Sequence, residues 1–160
     1  MHIFILILSS LLVLTGCAND PQVIEKTALQ QKQEKIYIPP NKSLIYFVRP
    51  AKVAASGQHY IINIQGKPVA VMETGTYFPY LVSSGKIDIS AKSKPSILNF
   101  GLALAFMAEP ELTLTTSPGK TYFINVGVAF SGGPTLTNVS AKVGEPLVKK
   151  SKKMETIPVQ

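Results

Sequence analysis

This sequence is short of the side chains that metal and thiol chemistry need. It has one cysteine, Cys17, two histidines, His2 and His59, and no tryptophan. One cysteine cannot close a disulfide within the chain. A zinc site built without free thiols would have to draw on carboxylates around His59. Carboxylates are scarce as well: nine Asp and Glu stand against 16 Lys and Arg, a formal net charge of +7. Glu73, Asp88, Glu109 and Glu111 follow no ligand-like spacing. No cofactor and no metal are expected. Nucleophilic hydrolysis needs a nucleophile, a base and an orienting acid. His59 is the sole candidate base downstream of the N-terminal segment, and no serine sits in a recognisable elbow. An envelope enzyme working through His59 is therefore the third reading, and no catalytic residue is assigned. "SPGKT", Ser117 to Thr121, ends like a phosphate-binding loop, but the glycine that motif requires at 114 is Leu114.

What the chain does have begins at its N-terminus. Ile3 to Leu14 is apolar apart from Ser9 and Ser10. Crossing a bilayer takes about 20 helical residues, so this run is too short to span and fits a secretory leader instead. Directly behind it, Leu14-Thr15-Gly16-Cys17 resembles the lipobox of bacterial lipoproteins: an aliphatic residue, two small or neutral residues, then cysteine. The resemblance implies cleavage before Cys17 and acylation of that residue. Each buried methylene of an acyl chain contributes about 0.8 kcal/mol, and stable anchoring takes more than one chain. Residue 18 is Ala, not the Asp that commonly retains such proteins in the inner membrane. The expected location is the outer membrane, facing the periplasm. There the acidic neighbours of a basic protein are anionic lipid and glycan, not nucleic acid.

The expected division is a leader at 1–16, a lipidated tether at 17–40, a β-sandwich at 41–143 and a basic tail at 144–160. The tether is polar and Gln-rich; as a flexible coil it averages about 25 Å. Pro39-Pro40 closes it. From Ser43 onward the pattern is that of short strands between turns. "SLIYFVRP" is β-branched and aromatic, and Pro50 ends it. "HYIINIQ" sets Tyr60, Ile62 and Ile64 on one face, and Gly66-Lys67 turns into "PVAVME". "TYFPYLVS" follows. "KIDISAK" puts Ile87, Ile89 and Ala91 on one side and Lys86, Asp88 and Lys92 on the other. "ELTLTT" points Leu112 and Leu114 inward. Pro118-Gly119 carries type II turn chemistry. "KTYFINVGVAF" reads as the longest strand, and Gly132-Gly133-Pro134 turns it into "TLTNVSAK". Strands at this spacing predict an all-β antiparallel sandwich of about seven or eight strands.

"IYFVRP", "YIINIQGKPVAVMETGTYFPYLVSSGKIDISAK" and "PGKTYFINVGV" resemble a bacterial lipoprotein family catalogued as domain of unknown function 2846. The shared features are an aromatic strand ending in Arg-Pro, Gly-x-Tyr-Phe-x-Tyr at Gly75 to Tyr80, and Gly-Lys-Thr-Tyr at Gly119 to Tyr122. They imply a small β-sandwich on a lipid anchor and imply no reaction. The expected role is a non-catalytic binding or structural module.

Two stretches carry the remaining possibilities. "ILNFGLALAFMAEP", within Ser96 to Pro110, is rich in helix formers, yet Leu98, Phe100, Leu102, Leu104 and Phe106 alternate. It reads as a short helix or hairpin extension. Either it plugs the sandwich, or residues 97–107 dock on a protein partner or the membrane through Phe100, Leu102 and Phe106, as an adaptor on an envelope complex would. The tail holds Lys149, Lys150, Lys152 and Lys153, either a solvated frayed end or a contact for anionic lipid or glycan. Three Gly-Lys turns place Lys67, Lys86 and Lys120 just after tight turns. Solubility is the simpler account of them, and a basic rim requires that they share one end.

Overall fold

The computed structural model describes residues 36–51, 57–94, 109–130 and 133–154. Among these, the chain forms β1 (Lys42–Arg49), β2 (Tyr60–Ile64), β3 (Lys67–Met72), β4 (Thr76–Ser83), β5 (Gly85–Ser93), β6 (Glu111–Thr116), β7 (Thr121–Val128), β8 (Pro134–Val139), helix α1 (Ala141–Lys149) and β9 (Lys152–Lys153). The strands make the expected sandwich. One sheet has the order β8-β7-β1-β4-β9 and the other β3-β2-β5-β6. Pairing is antiparallel except for β1 with β7 and β4 with β9, which are parallel.

The alternating strands bury the faces their patterns indicate. Tyr60, Ile62 and Ile64 of β2, Ile87, Ile89 and Ala91 of β5, and Leu114 of β6 pack against Ile45, Phe47, Phe78, Val82, Ile124 and Val126 of the facing sheet. Phe47 and Phe78 lie directly opposite each other in register, and their rings stack at 4.9 Å between centroids. Two local expectations shift. The β2–β3 turn is centred on Gln65 and Gly66, not Gly66 and Lys67. A two-residue hairpin turn of this hand needs positive φ at both central residues, and these have 52° and 72°. Lys67 already pairs with Ile64. The longest strand is β5, with nine residues against eight in β7. Past Val128 the chain leaves the sheet, and Ala129 N donates to Gly133 O at 2.8 Å to close the turn into β8. The type II turn stands as expected: Gly119 has φ of 71°, and Lys120 N donates to Ser117 O at 3.2 Å.

Strand β1 sits in the middle of its sheet and is buried on both faces. Ile45 and Phe47 face the sandwich core, while Leu44 and Val48 face the other way and are also buried. A strand of that kind needs a second cover. Over Val48 helix α1 supplies it, with Val148 packing on Val48 and Phe123, and Tyr46, Tyr77, Val139 and Leu147 around them. The helix has nine residues with Pro146 among them. A helix this short is not stable alone, so it is held by the apolar face it covers. Gly144 and Val148, four residues apart, form that face. Glycine is required at 144, because a Cβ there would collide with the Phe123 ring. Residues 144–154, expected in a solvated tail, are thus the second half of α1 and β9. Lys152 and Lys153 pair with Thr76 and Tyr77 at the sheet edge.

Two tests follow from this layer. Gly144→Ala would stabilise an exposed helix by about 1 kcal/mol; here overpacking against Phe123 should destabilise by about 1–3 kcal/mol, read from the urea midpoint. The second concerns alkali. Burial raises the phenol pKa of Tyr46, with a further contribution from Tyr77, and burial raises that of Tyr77. The folded state favours the neutral phenols, so their contribution is complete below the unfolded value of about 10 and is lost as pH rises through the higher folded values. Stability measured against pH should fall above pH ~10, and Tyr46→Phe with Tyr77→Phe should flatten that fall.

Candidate functional site

Strand directions sort the connections into two ends. Residues 36–41 lead into β1 at the entry end, where the β2–β3, β4–β5 and β6–β7 turns also lie. The connections after β1, β3, β5 and β7 lie at the far end.

At the far end the central feature is Arg49, buried between the sheets at 1% exposure. Its Nη1 donates to Gln58 O at 2.6 Å and to Met72 O at 3.0 Å. Its guanidinium carbon lies 3.9 Å over the Tyr60 ring. The Tyr60 hydroxyl donates to Gln58 Oε1 at 3.1 Å. Carbonyl oxygens accepting from it and an aromatic face beneath it offset the cost of holding this cation out of water. Burial lowers the Arg49 pKa and raises that of Tyr60, and the Arg49–Tyr60 interaction opposes both shifts. The arrangement ties the β1–β2 connection to the end of β3. Gly75 N donates to Arg49 O at 2.9 Å and Thr76 Oγ1 to Glu73 O at 2.6 Å, which bring in the β3–β4 turn.

His59 is at this end but outside that cluster. Its Nε2 lies 3.6 Å from Glu73 Oε1, and both side chains are exposed. Among the described residues, no three His, Cys, Asp or Glu side chains come together as a metal site. Lys149 and Lys150 close α1, and Lys152 and Lys153 form β9 beside the start of β4, so the four tail lysines also lie toward the far end, all exposed. Lys94 and Glu109, which flank the apolar insert, are there too. Cys17, Phe100, Leu102 and Phe106 lie outside the described residues.

The entry end gathers a different set. Lys42, Lys67, Lys86 and Lys120 come from four segments that hydrogen bonds fasten together. The Ser43 hydroxyl, fully buried, donates to Ser117 O at 2.7 Å and lies 3.1 Å from Ser84 Oγ. Ser84 N donates to Asn41 O at 3.1 Å, Gly119 N to Lys42 O at 2.8 Å and Leu44 N to Lys120 O at 3.0 Å. Gln65 joins the last turn to β5: its N donates to Asp88 O at 2.8 Å and its Nε2 to Lys86 O at 3.2 Å. Lys67, Lys86 and Lys120 are exposed, and Lys42 is half-buried with Nζ donating to Ser83 Oγ at 3.0 Å. The three Gly-Lys turns therefore do share one end. Sequence reasoning missed Arg49 and Ser43 as organising residues. Their signal was a polar residue at each limit of an otherwise apolar strand.

No family model and no curated protein matches this chain, so the similarity to domain of unknown function 2846 rests on its motifs. Among solved structures, the chain is similar to the crystal structure of the T6SS lipoprotein TssJ1 from Pseudomonas aeruginosa. The identity is 10% and the TM-score 0.36, covering 64% of this chain and 99% of that one.

Replacing Arg49 by lysine keeps the charge but cannot reproduce a planar fork over Tyr60. Arg49→Lys should cost about 2 kcal/mol in urea unfolding, since hydrogen bonds to a buried charge are lost.

Proposed function

We propose that this chain is a lipid-anchored lipoprotein of the bacterial envelope whose β-sandwich serves as a non-catalytic binding or structural module. The observation that carries the reading is Leu14-Thr15-Gly16-Cys17 standing directly behind the apolar run Ile3 to Leu14. An apolar run too short to span, ended by a lipobox-type motif, is what export followed by acylation requires. Ala18 favours the outer membrane, with the domain in the periplasm. The far-end polar cluster supports the non-catalytic part. Arg49 is engaged with main-chain carbonyls, and His59 and Glu73 are paired on the surface.

The test is metabolic labelling in a Gram-negative host with an alkyne fatty acid. The wild-type protein should take up label and fractionate with membranes. Cys17→Ser should take up none and accumulate as the uncleaved precursor. Label retained by Cys17→Ser would overturn the reading.

A further inference from the structure

We propose that the entry end of the sandwich is a docking face for an anionic lipid bilayer, so that the domain lies on its membrane through Lys42, Lys67, Lys86 and Lys120 instead of hanging free on its tether. The proposal rests on the lipid-anchored reading for the identity of the surface, and three observations carry it. First, the lysines are pre-arranged. They leave four segments joined through Ser43, Ser84, Gln65 and the 117–120 turn, so bringing them to one surface orders no loop, and the cost of binding falls accordingly. Lysine, a hydrated point charge on a flexible stem, suits phosphate headgroups on an open surface with no pocket.

Second, most of the described carboxylates stand away from these lysines. Of the described carboxylates, Glu73, Glu109 and Glu111 lie at the far end and Glu145 is in α1. Asp88 is the exception: Gln65 N of the β2–β3 turn donates to its backbone O at 2.8 Å, so it stands level with Lys67, and its Oδ1 accepts from Thr113 Oγ1 at 2.7 Å. The ion pair of His59 with Glu73 is at the far end. Among the described residues, none of Lys42, Lys67, Lys86 and Lys120 is in an ion pair.

Third, the chain from Cys17 arrives among these lysines. Residues 36–41 run into Lys42, with Asn41 O bonded to Ser84 N. An anchor at Cys17 would therefore join the domain by way of this end. The tail lysines, Lys149 to Lys153, lie toward the opposite end and would face away.

The mature chain from residue 17 carrying Cys17→Ser, which has no acyl anchor, tests this on vesicles. It should bind phosphatidylcholine vesicles containing about one third phosphatidylglycerol, release with salt, and ignore pure phosphatidylcholine. Lys67→Gln, Lys86→Gln and Lys120→Gln together should weaken binding by roughly tenfold to a hundredfold. Their thermal midpoint should be unchanged, since those side chains are exposed and the fold uses the backbone of these residues. Replacing Lys149, Lys150, Lys152 and Lys153 by Gln should change binding by less than about threefold. Wild-type affinity in the triple variant overturns the proposal, as does loss of binding in the tail variant instead. Retention on isolated peptidoglycan with no vesicle binding overturns it in favour of a glycan. Acyl labelling is read separately: a failed label removes the anchor and leaves the vesicle result standing, while intact label with no vesicle binding removes the docking face alone.

Discussion

Strand β1 presents apolar side chains on both faces, and neither face can be left to water. Ile45 and Phe47 demand an opposing sheet; Leu44 and Val48 demand a cover on the other side. Burying side chains of this size is worth about 1.5–3 kcal/mol each, so the two demands together outweigh any local preference of the segments that answer them. That explains why "AKVGEPLVK", with a glycine and a proline, is helical at all. The helix is the shape that lays Val148 on Val48 and Phe123. Gly144 is the residue that lets it come close enough. Its end then delivers Lys152 and Lys153 to β4.

The same strand organises both ends of the domain. Ser43 and Arg49 stand near its two limits, both buried, and each donates hydrogen bonds to neighbouring connections. A buried polar group that loses its partner costs about 1–3 kcal/mol, so each acts as a geometric constraint on the loops it reaches. Ser43 holds the 84 and 117 turns against the chain's point of entry. Arg49 holds the connection to β2 against the end of β3. The loops differ in chemistry, but both sets are registered to one strand.

The sandwich was legible in the sequence wherever one face of a strand meets water. In β5, Ile87, Ile89 and Ala91 alternate with Lys86 and Asp88, and burial follows that alternation. The pattern fades in β1, where burial on both faces erases the period and with it any hint that a further layer is needed. Helix α1 was hidden for a related reason. Lysines on its exposed side and its weak helix formers read as a solvated end, and only the spacing of Gly144 and Val148 pointed elsewhere. Arg49 could be seen only as a strand terminus, because its carbonyl partners at Gln58 and Met72 come from distant parts of the chain. The candidate anchor and the apolar insert are sequence features throughout.

Counting reversals connects the local reading to the two ends. When each strand reverses the chain, every second connection shares an end, so the turns after β2, β4 and β6 must fall together. This places Lys67, Lys86 and Lys120 beside the chain's entry and sends the connections after β1, β3, β5 and β7 to the other side. The sequence alone could not complete that count, because an insert that was itself a hairpin or a helix left the number of crossings between β5 and β6 open. With β5 and β6 paired directly, from Gly85 with Thr116 to Ser90 with Glu111, the parity is settled. A domain lying on a membrane by its entry end then turns outward the end that bears the exposed Phe130, the His59–Glu73 pair and the residues flanking the apolar insert. On that geometry, a partner for the far end would be met in the aqueous compartment.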